Sequence, residues 1–129
     1  MSGTHTSVID ALSHKRIFIR MGTTDFRAGI DTLAAYATVT NREAFFAGAV
    51  FAYCAKNKKQ IRLIFWEGCG IYMVTRKIQR AVFKWPKVTD QEDLEACHQQ
   101  LKALMSDPVT WGSLQAARTV RALENRGKS

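Results

Sequence analysis

The segment Val50-Phe-Ala-Tyr-Cys-Ala-Lys-Asn-Lys-Lys-Gln-Ile-Arg-Leu-Ile-Phe-Trp66 decides the fold, because it contains two apolar stretches separated by the five polar residues 56–60. On both sides of the polar residues, large apolar side chains alternate with other residues, as in a strand with one buried face. The alternating residues are Phe51, Tyr53, Ile61, Leu63 and Phe65. Asn57 tolerates a positive φ and suits a tight turn. The segment therefore predicts a β-hairpin.

The residues after the hairpin extend it into a meander. Glu67-Gly-Cys-Gly70 supplies a second turn, and residues 71–75 are typical of a third strand. Residues 81–85 are apolar enough to return to the sheet before Pro86 interrupts it.

One strand and one helix are expected before the hairpin. Residues 16–21 are rich in β-branched and aromatic side chains and predict a strand that ends at Gly22. Thr23 or Thr24 would then cap a helix of about three turns. Asp25 would lie in its first turn, where the helix dipole favours an anion. Apolar residues recur at helical spacing at Phe26, Ile30, Leu33, Ala34 and Ala37.

The pattern changes to helical after Pro86. Thr89-x-x-Glu92 matches a capping box that would begin a helix, Asp107-Pro108 would end it, and residues 113–125 predict a further helix. The apolar positions of the first of these helices are Leu94, Cys97, Leu101, Leu104 and Met105. We interpret Cys97 as a core residue, and residues 126–129 as a frayed tail.

These elements predict the α+β class, as a small antiparallel β-meander with one N-terminal helix packed on it and a helical C-terminal appendage. At 129 residues, 47% hydrophobic and 23% charged, the chain is expected to form one globular domain. We divide it into a loose N-terminal segment at 1–15, an α+β domain at 16–88 and a helical region at 89–129. The three cysteines form no Cys-x-x-Cys pair, and no apolar stretch approaches the length of a membrane span. A cytoplasmic bacterial protein without membrane contact is expected.

The positive charge is concentrated in one part of the chain. The formal net charge is +8, and residues 56–87 contain nine bases against the single acid Glu67. Charges on the other residues cancel. Such a concentration on a hairpin and the following strand is typical of a surface that binds a polyanion through its phosphates. The alternative is that a lysine-rich hairpin only protects a sheet edge from aggregation.

Four aromatic residues are interleaved with these bases. Aromatic side chains beside Lys and Arg occur in surfaces that stack single-stranded bases, although core packing is the more usual role. The four are Tyr53, Trp66, Tyr72 and Trp85.

No catalytic constellation is visible, so the chain is not expected to be an enzyme. A metal-dependent nuclease needs several carboxylates converging on divalent metal. Asp25, Asp31 and Glu67 have simpler explanations as helix and turn residues, so we expect no metal site and no cofactor. The chain has no phosphate-binding glycine loop, nucleophile elbow or zinc-protease motif.

Five separated blocks resemble the TnpB accessory protein, or second-open-reading-frame protein, of the insertion-sequence sixty-six family of bacterial transposable elements. The blocks keep that family's order and spacing over about residues 16–87, which is more specific than any single short motif. They are Thr24-Asp-Phe-Arg-Ala-Gly-Ile-Asp31, Gly48-Ala-Val-Phe-Ala-Tyr53, Phe65-Trp-Glu-Gly-Cys-Gly70, Arg76-Lys77 and Phe83-Lys-Trp-Pro86.

The resemblance implies a mobile-element protein that works beside a separate transposase and has no established catalytic role. This chain departs from the family pattern after the first hairpin strand, where the family usually has an Arg followed by Asn-Arg-Arg. Lys58, Lys59 and Arg62 retain basic character, but the bidentate guanidinium geometry is lost. A Gly and an Arg expected before the Phe-x-Trp-Pro block are replaced as well. The residues at the changed places are Cys54, Ala55, Lys56, Asn57, Ala81 and Val82.

The leading hypothesis is a non-catalytic transposition factor that binds DNA without sequence specificity. The expected phosphate contacts are Lys56, Lys58, Lys59, Arg62, Arg76, Lys77 and Arg80, joined by Arg27. One alternative is a protein-interaction module that docks on the transposase through the C-terminal helices or a sheet edge, without contacting DNA. A less favoured alternative is a metal-dependent nuclease that uses Asp25.

Overall fold

The computed structural model describes residues 8–108 and 112–128. The expected loose residues 1–7 and the last residue of the expected frayed tail lie outside these ranges. In chain order the elements are α1 Val8–Ala11, β1 Ile17–Thr24, α2 Ile30–Phe46, β2 Val50–Ala55, β3 Gln60–Glu67, β4 Gly70–Lys77, β5 Asp93–Ala96, α3 His98–Leu104 and α4 Gly112–Arg126.

The five strands form one mixed sheet in the order β4-β3-β2-β1-β5. Strands β2, β3 and β4 form the predicted antiparallel meander, with Phe51 opposite Ile64 in the first pair. Strand β1 runs parallel to β2, and β5 runs antiparallel to β1. The predicted α+β class is confirmed, and the meander is part of a larger sheet.

Helices cover both faces of the sheet. On one face, α2 packs on Phe51, Tyr53 and Ile64 through Leu33 and Phe45. The opposite face carries a larger core to which α3 and α4 contribute. Members of this core include Ile17, Ile19, Val50, Ala52, Leu63, Leu101, Leu104 and Leu123. The period of two along the strands sends alternate side chains to the two layers, as the hairpin pattern predicts.

The first helix begins later than predicted. Gly22 does not end β1, because its φ of +77° accommodates a register shift between Ile19 and Thr23 and lets the strand continue. Gly29 is the N-cap of α2, so the prediction that Thr23 or Thr24 caps a helix with Asp25 in its first turn is wrong. The backbone N–H of Gly22 donates to the Pro86 carbonyl at 2.7 Å, which ties β1 to a later loop.

Helix α2 is also longer than the predicted three turns. It continues to Phe46 across a kink at Asn41, whose φ of −162° and ψ of 93° are not helical. The Asn41 side-chain oxygen accepts the Ala44 N–H at 3.0 Å and so begins the helix anew. Phe45 therefore lies in the helix, and the strand that follows starts at Val50.

Residues 81–85 do not return to the sheet. Residues 78–92 form neither helix nor strand, although Phe83 and Trp85 are buried. The Phe83 N–H donates to the Lys58 carbonyl at 2.7 Å, and the Trp85 indole N–H donates to the Arg20 carbonyl at 2.9 Å. Their apolar character therefore reflects core packing of a loop.

The predicted helix after Pro86 is wrong in its first half. Residues 93–96 form β5, because Leu94 and Ala96 point into the core while the backbone pairs with the free edge of β1. The helix starts at His98 after an N-cap at Cys97, whose own N–H donates to the Gln100 side chain at 3.0 Å. The further helix is confirmed as α4.

The three cysteines are free thiols in different environments. Cys97 is exposed, so its interpretation as a core residue is wrong. Cys69 is exposed in the turn between β3 and β4. Cys54 lies in the core, where burial raises the pKa of its thiol to about 12 and makes it a poor nucleophile.

Replacement of Gly22 by alanine is expected to destabilise the fold. A Cβ atom there would lie 2.7 Å from Cγ2 of Val88, and the positive φ disfavours any L side chain. We expect the free energy of unfolding to fall by about 1–3 kcal/mol. Gly70→Ala is the matched control, because nothing lies within 4 Å of the added Cβ. Urea unfolding would contradict the expectation if both variants had the stability of the wild type.

Candidate nucleic-acid interface

The strand directions bring the ends of several strands together. Because β1, β2 and β4 run in the same direction, their carboxyl ends lie at the same end of the sheet. This end carries the turn of residues 56–59, the last residue of β4, Lys77, and the start of the loop of residues 78–92.

The β2–β3 turn is held by backbone hydrogen bonds and by Asn57. Its side-chain oxygen accepts the Lys59 N–H at 2.9 Å, and the Lys58 N–H donates to the Ala55 carbonyl at 2.9 Å. Lys58, rather than Asn57, takes the positive φ, at 58°. The turn therefore has a fixed shape, in which Lys56 is exposed and Lys58 and Lys59 are partly buried.

The loop after β4 is fastened to this turn. The Ile78 N–H donates to the Lys59 carbonyl at 2.9 Å, and the Phe83 N–H donates to the Lys58 carbonyl. The loop between these two attachments carries Arg80, which is exposed. Arg80 is thereby kept beside the turn although about twenty residues separate them in sequence.

We call the set formed by Lys56, Lys58, Lys59, Lys77 and Arg80 the basic end. All five were predicted as DNA contacts, and the structure places them at one end of the sheet. Lys56, Lys77 and Arg80 are exposed, and the other two are partly buried. Within the described residues, none of the five forms an ion pair with a carboxylate. Their charges are therefore available to an external anion.

Arg27 lies near the basic end, but its charge is balanced. Its guanidinium donates to the Asp25 carboxylate, with Nη2 at 2.6 Å from Oδ2. Hydrogen bonds from Arg27 hold the pKa of Asp25 well below its usual range, and the positive charge of Lys56 acts in the same direction. The pair adds little net charge to the surface.

Arg62 has a structural position on β3. Its guanidinium lies over the Phe26 ring at 4.5 Å, and Nη1 donates to the Phe26 carbonyl at 3.2 Å. Nε is buried without a hydrogen-bond partner among the described residues. The side chain thus holds the loop between β1 and α2 against the sheet.

Arg76 is not part of the basic end. Its side chain lies on the opposite face of β4 from Lys77, where Nη1 donates to the Met105 carbonyl and the guanidinium lies 5.7 Å from the Phe83 ring. It connects β4 to the end of α3. Of the eight predicted contact residues, five therefore lie at the basic end. Arg27 is paired with Asp25, and Arg62 and Arg76 donate to backbone carbonyls of the fold.

The interleaved aromatics are mostly packing residues. Tyr53 and Trp85 are buried, and Trp66 packs on Phe46 with ring centroids 5.1 Å apart. Tyr72 is 54% exposed, but it stacks on Phe65 on a different part of the sheet from the basic end. Among the residues that the structure describes, the arrangement offers phosphate contacts at the basic end and no exposed aromatic platform beside them.

Charge is segregated along this end of the sheet. Acids lie at the β5 side, where Asp93 pairs with Arg20 at 3.1 Å and Glu92 lies beside them. Burial raises the pKa of Asp93, and the nearby Arg20 opposes that rise. An anionic ligand would therefore favour the β2–β4 half of the end.

Two more bases reach the basic end through the loop of residues 78–92. Lys84 and Lys87 lie within the basic segment of the sequence but were not among the predicted contacts. Both are exposed and flank Trp85, whose buried indole fixes their position. The concentration of positive charge in residues 56–87 is the sequence feature from which both lysines could have been predicted as contacts.

The acids do not assemble a metal centre in the described part of the chain. No group of three or more His, Cys, Asp or Glu side chains is close enough to hold an ion there. Asp25 lies at the basic end, whereas Glu67 lies at the opposite end of β3. In the described ranges, no helix combines the length and the hydropathy needed to cross a membrane.

Comparison with known proteins identifies the family. A family model described as IS66 Orf2 like protein, TnpB_IS66, matches residues 15–116. That range includes the whole sheet and the basic end. The chain belongs to this family, and is therefore an insertion-sequence accessory protein.

One curated relative is a protein from Sinorhizobium fredii described as uncharacterized protein y4jC. It is 29% identical over 75 residues, which cover 58% of this chain and 64% of the relative. The chain thus spans less than two thirds of that relative's length. No solved structure matches the chain.

The position of Arg62 predicts a structural effect that an exposed base would not show. Arg62→Ala removes the stacking on Phe26 and a hydrogen bond to its carbonyl. We expect a loss of about 1–2 kcal/mol in the free energy of unfolding. Lys77→Ala, an equal charge change at an exposed site, is expected to stay within about 0.5 kcal/mol of wild type. Equal stability of both variants in thermal unfolding would show that Arg62 does not hold the loop.

Proposed function

We propose that this accessory protein supports transposition by binding DNA through its basic end, without catalysing a reaction itself. The observation that carries the proposal is the convergence of five bases, free of ion pairs within the described residues, from three separate parts of the chain. Such a cluster neutralises phosphates and releases the counterions condensed on DNA. A protein acting on an insertion sequence meets DNA in the bacterial cytoplasm, which is the location we propose.

The type of side chain supports binding to the DNA backbone rather than reading of bases. Four of the five residues of the basic end are lysines, which contact phosphates as point charges. Base recognition usually depends on a helix or a paired strand inserted into a groove, with Arg, Asn or Gln aimed at base edges. The basic end consists of turns and one strand end, so we propose affinity that depends little on sequence.

A non-catalytic role is supported by the state of Asp25. Asp25 is close enough to Lys56 to feel its positive charge, and two guanidinium nitrogens of Arg27 occupy its carboxylate. Metal-assisted cleavage of a phosphodiester needs carboxylates that are open to divalent ions at the scissile bond. We therefore expect no magnesium-dependent cleavage of DNA by this protein.

Removal of the turn lysines is expected to weaken DNA binding. The test variant is Lys56→Gln, Lys58→Asn and Lys59→Gln, where Asn is chosen because it tolerates the positive φ at position 58. For each lost duplex contact, the slope of log affinity against log salt should fall by about 0.9. Fluorescence polarisation with a labelled duplex, at two or more salt concentrations, measures both affinity and slope.

The matched control removes three positive charges elsewhere. Arg42, Lys102 and Arg118 are exposed on three different helices away from the basic end. Their replacement by Gln gives the same net charge as the test variant and should retain most of the affinity and slope. Equal losses in the two variants would mean that only the net charge matters, and the assignment to the basic end would be wrong.

A second candidate role is docking on the element-encoded transposase. It is favoured by β4, an edge strand of eight residues whose Tyr72 and Met73 are 54% and 39% exposed. An exposed edge can add a strand from another chain. If this role applies, Met73→Lys should abolish capture of the transposase at high salt and leave DNA binding intact. Capture that is lost on nuclease treatment would instead indicate DNA bridging.

A further inference from the structure

We propose that a groove between α4 and residues 82–87 binds one phosphodiester backbone and continues the DNA path that starts at the basic end. This inference rests on the proposed function and extends it to a helix that carries none of the predicted contacts. We call this depression the α4 groove. Its basic residues are Lys58, Lys84, Lys87 and Arg121.

The α4 groove has two walls and a volume of about 390 Å³. Residues 82–87 form one wall, and the α4 residues Ala117, Val120 and Arg121 form the other. Trp85 contributes apolar surface to the groove while its indole N–H is bound to the Arg20 carbonyl. Apolar surface between lysine and arginine side chains suits a sugar-phosphate chain, whose sugars are less polar than its phosphates.

The α4 wall is held firmly in place. Leu123 is fully buried, and the Lys87 N–H donates to the Glu124 carboxylate at 2.8 Å. The Asp90 N–H donates to the Gly127 carbonyl at 2.9 Å. A Cβ on Gly127 would lie 2.1 Å from Oγ1 of Thr89, so the helix end approaches the loop as closely as glycine allows. The groove is therefore part of the folded structure.

The charge in the α4 groove is strongly positive and unbalanced. Among the described residues that line it, Glu124 is the single acid, and one carboxylate oxygen already accepts the Lys87 N–H. In the ranges that the structure describes, none of the four bases forms an ion pair. Four basic side chains against one carboxylate leave an excess of positive charge around a partly apolar depression, which favours the binding of an external anion.

A neighbouring depression connects the α4 groove to the basic end. It has a volume of about 290 Å³ and shares Lys58, Trp85 and Lys87 with the α4 groove. Lys56 also lines it. The two depressions thus adjoin at these shared residues, and together they make up the proposed track from the β2–β3 turn to Arg121. A polymer of phosphates can occupy such a track, whereas a single small anion would contact only part of it.

The match to the family model covers one wall of the α4 groove, residues 82–87, but not the other. The matched range ends at residue 116, and the groove-facing residues of α4 lie beyond it. The sequence offered no signal for Arg121, because residues 88–129 have no excess of positive charge. Only the packing of α4 beside residues 82–87 brings this arginine to the basic track.

The test uses two variants whose expected effects have opposite signs. Lys84→Gln combined with Arg121→Gln removes two contacts, so the salt slope for single-stranded DNA should fall by about 1.4. Glu124→Gln removes a negative charge from the groove but keeps a side-chain oxygen for the Lys87 N–H. It should increase affinity by roughly threefold at low salt. The probe is a fluorescein-labelled oligonucleotide, measured by polarisation in single-stranded and duplex form.

Arg118→Gln is the control, because it removes one charge from the same helix. Arg118 lines a different depression, between α4 and α3, together with Gln99 and Ala103. It should leave affinity and slope close to wild type. Competition with inorganic phosphate distinguishes a site for small anions, since millimolar phosphate displacing the oligonucleotide completely would overturn the proposed backbone track.

The outcomes separate this inference from the proposed function. If the turn-lysine variant loses affinity while the Lys84 and Arg121 variant matches Arg118→Gln, the α4 groove is not a DNA site and the basic end still is. If Glu124→Gln weakens binding at unchanged thermal stability, the groove is also excluded. Absence of DNA binding by the wild-type protein would overturn both. Losses in the groove variant together with a gain in Glu124→Gln would support the track.

Discussion

The structure depends on the burial of β2 on both of its faces. All six of its residues are buried, with Phe51 and Tyr53 under α2 and Val50, Ala52 and Cys54 in the opposite core. A strand enclosed in this way has no position for a charge, because an unpaired buried ion is strongly unfavourable. The polar residues that the chain carries next to β2 must therefore lie beyond its end. The basic end is a direct result of that exclusion.

The sequence predicted the parts of the fold whose pattern is local. Alternation on both sides of the polar residues 56–60 was enough for the β2–β3 hairpin, and helical spacing was enough for α4. The pattern could not show that β1 pairs with β2 in parallel, since that contact joins chain segments about thirty residues apart. Residues 93–96 were predicted as helix because Leu94 fits either period. These residues form strand β5 because they pair with the free edge of β1, a distant contact that the local sequence pattern does not show.

The sequence predicted which region of the chain carries the candidate site, but not how the basic side chains are arranged in it. The charge count located the bases in residues 56–87, and five of the eight predicted contacts meet at the basic end. Arg62 and Arg76 share the composition of that region but face inward, which depends on the strand alternation and on the neighbours Phe26 and Met105. Arg121 was missed because its contribution arises only from how α4 packs.

The loop of residues 78–92 also sets the order in which the protein can fold. It leads the chain from β4 at one edge of the sheet to β5 at the other, past three intervening strands. The meander closes through short turns, whereas β5 must find β1 across more than sixty residues of chain. Loop closure over long separations is slow, so the meander should form early and β5 with the C-terminal helices should dock late. During synthesis, the N-terminal part of the sheet would therefore expose one apolar face until the last quarter of the chain emerges.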